Sequence, residues 1–593
     1  MTDHSSPRFG AARRNILAAC LAAALTAGAA AHSQLSIAPS DRASPMFSGL
    51  AHAPRMADAR NAAPAHPFAS IPVTTCADAG TGSLREAAAL ANDSDEIDLR
   101  GLELLCSTIT LESGAIALDV NATVQGPGSD ALTIDGGGTD RVFYSTAGLT
   151  INDLTIAHGN HDGGAGGCIV AYGADLTLTR SVVTNCHAGD GSNAQSRGGG
   201  VYVGGILYMQ ASTISLSSAM ATNSVYGGGA YVVGDVYLGA SSIVGNTAAA
   251  QSGAARGGGL FTVFGSVNVY HRSRVNDNTA QSIDGTASGG GVSAGGPVNA
   301  HLSTVNGNTA YSESLASFGG GIHSDASGVP AGGSAIAIHG STLSGNIAST
   351  NCGSCLAIGG GASALGPVLA SYSVVRDNEV SAAGAAAGAA GGGLATVAAD
   401  GRIVLLNSTV SGNSANSGHL GYGGGIASVY GGPFVAYNST IAFNEASHFG
   451  GGATGHGGTL FSTIAANNEA PVGTAADLAP GYLSGPFTID GSNSLVIAAS
   501  AEIDFANEPL HADPLLLALA DNGGLTATHA LGAGSPAIDA GEDSLGANYD
   551  QRFCPYPREA GAAADIGAFE QQTEVADYLF GDDFEGGLPP CAN

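Results

Sequence analysis

The chain is expected to fold as an all-β solenoid, a right-handed parallel β-helix, on two recurring phrases and one missing residue type. The first phrase is a serine followed five positions later by an asparagine: Ser241/Asn246, Ser273/Asn278, Ser303/Asn308, Ser341/Asn346, Ser373/Asn378, Ser408/Asn413, Ser439/Asn444 and Ser462/Asn467. The second is a glycine triplet between them, as at Gly198–Gly200, Gly227–Gly229, Gly257–Gly259, Gly359–Gly361 and Gly450–Gly452. Both return about every 30 residues, which marks one structural unit stacked on copies of itself. Tryptophan is absent, which argues against a WD-type propeller blade, and the leucine-rich spacing is missing too.

Within a repeat, the residue after each triplet is apolar, as Val201, Leu260, Val292 and Ile426 are. Short alternating runs follow, such as Val201-Tyr202-Val203 and Ile206-Leu207-Tyr208-Met209. Their length and their Gly, Asn or Ser borders are those of strands. Three adjacent glycines would cost a helix roughly 2–3 kcal/mol against alanine, so helical repeats are excluded. The reading is three strands per coil, stacked about 4.8 Å apart into a rod about 50 Å long. An asparagine at one turn of each coil tolerates a left-handed backbone and can bond the same amide one coil away. The structural ladder is therefore assigned to Asn246, Asn278, Asn308, Asn346, Asn378, Asn413, Asn444 and Asn467. Spacing varies mainly in segments rich in Ala, Ser and Gly, expected to be corner loops.

Residues 1–31 read as a cleaved export signal: Arg8, Arg13 and Arg14 precede an apolar run from Ile16 to Ala30, closing on Ala29-Ala30-Ala31. Arg13-Arg14-Asn15-Ile16-Leu17 also resembles a twin-arginine leader, so the export route stays open. Residues 32–70 read as a disordered linker. Of nine cysteines, Cys20 falls in the leader, leaving eight, an even number suited to disulfides. Proximity favours Cys76–Cys106, Cys168–Cys186, Cys352–Cys355 and Cys554–Cys591, among the 105 connectivities that eight cysteines allow. The net charge of −30 argues against nucleic acid or an anionic polysaccharide as partner. No later segment has the ~20 apolar residues of a membrane span.

The two ends carry more specific motifs. Cys76-Ala77-Asp78-Ala79-Gly80-Thr81-Gly82-Ser83-Leu84-Arg85-Glu86-Ala87 opens a short helical pattern ending near Asn92. This segment, 71–106, resembles the CSLREA domain that opens secreted bacterial β-helix proteins, with Gly82 where that motif has cysteine. Asp521-Asn522-Gly523-Gly524, Ser535-Pro536-Ala537-Ile538-Asp539-Ala540-Gly541, Asp550-Gln551-Arg552 and Asp565-Ile566-Gly567-Ala568-Phe569-Glu570 resemble the closing region of the choice-of-anchor Q family. The repeats of 107–504 are similar to those of polymorphic outer-membrane adhesins. The resemblance implies a secreted or outer-surface protein of a Gram-negative bacterium, adhesin-like or structural, whose partners are a cell envelope, a host surface or glycans. Open ends of a stacked sheet need covers, so helix 84–90 is expected to cap the first coil and 505–570 to close the last. Residues 571–593 form a tail.

The pectate-lyase-like version of this fold includes polysaccharide lyases and glycoside hydrolases, the alternative function. That chemistry needs carboxylates at matching positions of neighbouring coils. Asp277 and Asp377 share a position, yet three coils separate them, about 14 Å. Gly455-His456-Gly457 echoes one polygalacturonase motif without its acidic companions. The run Asp93-Ser94-Asp95-Glu96 lacks the spacing of a calcium loop. No catalytic residue, metal ligand or cofactor is assigned.

Overall fold

The computed structural model describes residues 69–572 except 328, 330–332, 400, 472–474 and 482–485, within the contact unit Pro64–Asn593. The expected leader 1–31, the linker up to residue 68 and the tail from residue 573 lie outside them. The strands form a parallel β-solenoid of five sheets, each strand pairing with its counterpart one repeat away.

One coil gives the plan. After Gly227–Gly229 come strands Ala230–Val232, Val236–Gly239, Ser242–Val244, Thr247–Ala250 and Ala255–Arg256. We number the sheets first to fifth in that order. The first three hold 13, 16 and 14 strands and run the length of the solenoid; the fourth and fifth hold 10 and 8 and occupy its middle. Strand alternation turns Ala230, Val232, Val236, Leu238 and Ile243 inward, where all are fully buried. With their counterparts they make one continuous aliphatic core inside a three-sided prism.

The sequence reading of three strands per coil falls short by two. Of the Ala-, Ser- and Gly-rich segments expected to be corner loops, those between each ladder asparagine and the next triplet are the fourth and fifth strands. The long segment between Ser324 and Ile336, by contrast, does join the first sheet to the second. The fourth and fifth strands face each other across a second, thin core of Ala219, Ala221, Val225, Ala248, Ala250, Ala255 and Ala280, which reappears higher up as Ala357, Val380, Ala382, Ala387, Ala389, Ala415 and Ala446. Only small side chains fit between two sheets this close, so the strands carry few of the branched residues that advertise strand propensity. The result is a flat fin projecting from the prism.

Prism and fin join at a waist, where the glycine triplet and the asparagine of the other phrase lie. The serine of that phrase sits at the prism corner between the second and third sheets. At Gly359 the backbone takes φ 69°, open to glycine at no steric cost. A β-carbon on Gly360 would strike the carbonyl oxygens of Glu379 and Gly392, and one on Gly361 would meet Asn378. The triplet thus passes directly against the ladder asparagine and its successor on the opposite side of the coil. At the ladder, Nδ2 of Asn246, Asn278, Asn308, Asn346, Asn378 and Asn413 donates to Oδ1 of the next asparagine at 2.8–2.9 Å. Each Oδ1 also accepts the preceding asparagine's own backbone N–H, and each Nδ2 also donates to a carbonyl. The serine phrase runs parallel, as where Ser341 N–H donates to Ser373 Oγ at 3.1 Å.

The last repeat is out of step with the sequence reading. Asn444 bonds Asn468, 2.9 Å away, and Asn467 takes φ 58° just before it. That left-handed position is filled by Gly345, Asp377 and Phe443 in other coils. The left-handed backbone therefore belongs to the residue before each rung, where asparagine is tolerated for its local hydrogen bonding. Thr463 likewise replaces Ser462, its N–H donating to Ser494 Oγ. A signal existed: Asn444-Glu445-Ala446 recurs as Asn468-Glu469-Ala470. The ladder ends on Asp477, whose Oδ1 accepts from Asn468 and whose Oδ2 accepts from Ala498 N–H. Burial raises its carboxyl above the ordinary aspartate value against the pull of those bonds.

At the start, helix Leu84–Leu90 is capped by Ser83 Oγ, which accepts the Glu86 N–H, and buries Leu84, Ala87 and Ala88 in the prism core. Arg85 bonds Asp78 and the carbonyls of Gly114 and Ala115, spent on structure. The closing segment does something unexpected. It crosses the last coil, where Leu510 bridges Leu495, then runs back along the flank of the third sheet. There Gln551 accepts from Thr409, His529 bonds Ser411, Gly567 N–H donates to Ser462, and Ala568 N–H donates to Thr440. Its Asp-Gln-Arg and Asp-Ile-Gly-Ala-Phe-Glu motifs form the knot that holds it. Arg552, 2.6 Å from buried Asp550, lies between the rings of Tyr556 and Phe569, each 4.0 Å away. Glu570 accepts the N–H groups of Ala560 and Asp565. Disulfides close Cys76–Cys106, Cys168–Cys186 and Cys352–Cys355. Cys554 is disulfide-bonded as well, and Cys591 lies outside the described residues.

Candidate functional site

The fifth and first sheets meet at the glycine waist, and their outward rows face each other across a crease running parallel to the solenoid axis. Tyr226 from the fin lies 5.0 Å from Phe261 of the prism, Phe318 lies 5.6 Å from His323, and Arg256 pairs with Asp325 at 2.8 Å. Register fixes the prism wall: Tyr144, Val170, Tyr202, Tyr231, Phe261, Ser293, His323, Ser363, Ala395 and Ala427 follow one another coil by coil.

The wall changes character along its length. In the lower coils Tyr172, Tyr202, Tyr231 and Phe261 stack in sequence at 6.5, 5.0 and 5.7 Å. Arg141 lies over Tyr144 and Arg197 over Tyr231, attractions expected of a cation facing a π system. Tyr172 is 61% exposed, and Arg197, Tyr202, Tyr226 and Tyr231 are partly exposed. Burial raises the Tyr231 phenol above its ordinary pKa, keeping it a neutral donor. From Ser293 upward the same row is buried, and small except at His323.

At the transition, polar side chains are cross-linked. Ser363 Oγ lies 2.8 Å from His323 Nδ1, and His323 Nε2 lies 3.0 Å from Asp325, which also accepts from Arg256. Burial works to raise the Asp325 carboxyl, but His323 and Arg256 outweigh it and hold it far below the ordinary range. The order serine–histidine–aspartate is that of a nucleophile, a base and its orienting acid. Ser363 is fully buried and Phe318 packs against His323, so no substrate atom reaches the hydroxyl. In this geometry the relay ties three coils together.

The other singled-out residues do not assemble with it. Asp277 and Asp377 sit at left-handed turns before their ladder rungs. His456 Nε2 is buried and has no hydrogen-bond partner among the described residues, and burial lowers its pKa. In the run 93–96, Asp95 accepts the N–H groups of Ala69 and Asn92, Asp93 accepts from Asn121, and Glu96 pairs with Arg100. The crease itself escaped the sequence reading. Its signal was the tyrosine second after each triplet, Tyr202 and Tyr231, echoed by Phe261.

No family model, no curated protein and no solved structure matches the chain.

Proposed function

We propose that this is an exported protein, displayed on or released from the cell surface, that acts by contact through its solenoid and has no catalytic role. Membership of the CSLREA and choice-of-anchor Q type of bacterial β-helix protein is part of the proposal, resting on the terminal motifs. The observation that carries the reading is the crease: a partly exposed row of aromatic and arginine side chains, beside a polar relay whose serine and histidine are buried. Exposed aromatic rows on a rigid scaffold are binding features. Disulfides between neighbouring elements suit an oxidising compartment, and no helix among the described residues is long and apolar enough to cross a membrane.

Fractionation and surface proteolysis of producing cells test the display. The protein is expected outside the cytoplasmic membrane and accessible to protease; an exclusively cytoplasmic, reduced protein would overturn it. Incubation with pectin, alginate and other uronans tests contact against catalysis, since depolymerisation lost in His456→Ala would favour a lyase or hydrolase.

A further inference from the structure

We infer that the lower half of the crease is a binding site for a linear, uncharged glycan lying along the solenoid axis. The inference deepens the contact role proposed above and rests on it. Three observations carry it. First, the aromatic wall repeats once per coil, with Tyr202 and Tyr231 5.0 Å apart. One pyranose of an extended β-linked chain advances by close to one coil spacing, so successive sugars meet equivalent rungs. An extended peptide presents side chains to one face about every 6.7 Å and falls out of step within two residues.

Second, the polar groups are those that recognise hydroxyls. Tyr172, Tyr202, Tyr226 and Tyr231 supply phenols that donate and accept. Arg197 makes one side-chain hydrogen bond among the described residues, to Gln195 at 2.6 Å. Its remaining N–H donors are held by the Tyr231 ring. Third, the crease is close to charge-balanced. Asp140 stands beside Arg141, and Asp325 pairs with Arg256, while the chain as a whole carries −30. A polyanion would meet one uncompensated arginine on a strongly negative protein, and a neutral polymer meets no such penalty.

The test is titration of the full mature chain with cellopentaose, xylopentaose and mannopentaose, with maltopentaose and trigalacturonate as comparison ligands, read by calorimetry or saturation-transfer NMR. At least one extended neutral oligosaccharide is expected to bind, with affinity lowered about tenfold or more in Tyr202→Ala and in Arg197→Ala. Tyr237→Ala should leave binding unchanged, because Tyr237 stacks on Tyr208 in the second sheet, outside the crease. Tyr231→Phe keeps the stack and removes only a hydroxyl, so it reports on recognition should Tyr202→Ala unfold. Absence of binding to every extended neutral oligosaccharide, a preference for trigalacturonate, or affinity indifferent to Arg197→Ala and Tyr231→Phe would overturn the inference. These outcomes are independent of where the cell places the protein, so a failure here is distinguishable from a failure of surface display.

Discussion

Prism and fin are built on the same 30-residue repeat, yet they hold together differently. Inside the prism, Ile322, Ile338 and Leu343 come from the three walls and bury bulky branched side chains in one core. Inside the fin, Ala348 and Val380 sit between two walls with room for little more than a methyl group. Burial in the fin therefore removes far less apolar surface per residue, and the paired backbone carries more of the work. The contrast teaches that in a solenoid the register of the stack specifies structure even where the core is too thin to do so.

The waist is where that contrast breaks most sharply. Gly360→Val forces a branched side chain into carbonyl oxygens on both sides and is expected to cost more than about 3 kcal/mol, the upper range of overpacking. Gly353→Val, at a site with nothing within 4 Å, should leave the urea midpoint nearly unchanged. The two cores respond in opposite directions. Leu343→Ala should cost about 2–5 kcal/mol by opening a cavity in the prism, and Ala348→Leu about 1–3 kcal/mol by overfilling the fin. Hydrogen exchange would localise the first loss to the three main sheets and the second to the fourth and fifth.

A ladder substitution should be milder. Asn346→Ala leaves the N–H and amide of Asn308 without their acceptor and is expected to cost about 1–3 kcal/mol. Asn468→Ala should behave likewise, and Asn467→Ala should cost about 1 kcal/mol or less, through backbone preference alone. Equal effects at 467 and 468 would refute the register of the last rung. A pH dependence is expected as well. Burial raises Glu570 from an ordinary value of 4.5 to about 7. Between those values the folded state holds a proton that the unfolded state releases, so stability should fall as pH rises through this window and level off above it. Glu570→Gln should flatten that slope, measured as thermal midpoint against pH.

Much of this was legible before any coordinates. The recurring Ser–Asn phrase and glycine triplet required stacked coils, and Cys76–Cys106, Cys168–Cys186 and Cys352–Cys355 were favoured by nearness alone. The strands Thr247–Ala250 and Ala255–Arg256 were not, because alanine and serine carry the same pattern in a corner loop and in a thin fin. The closing motifs were recognisable as a unit, but nothing in them told that Gln551 and His529 would reach Thr409 and Ser411 more than a hundred residues back.

What the sequence determined by itself is periodic: a residue's partner one coil away is its own counterpart, so register, ladder and parallel sheets follow from repetition. What only the tertiary structure decided is aperiodic. How each coil folds back on itself at the waist, which residues face one another across the crease and where the closing segment docks depend on contacts between unlike positions. No spacing along the chain encodes those, because they arise only once the coils have a shape.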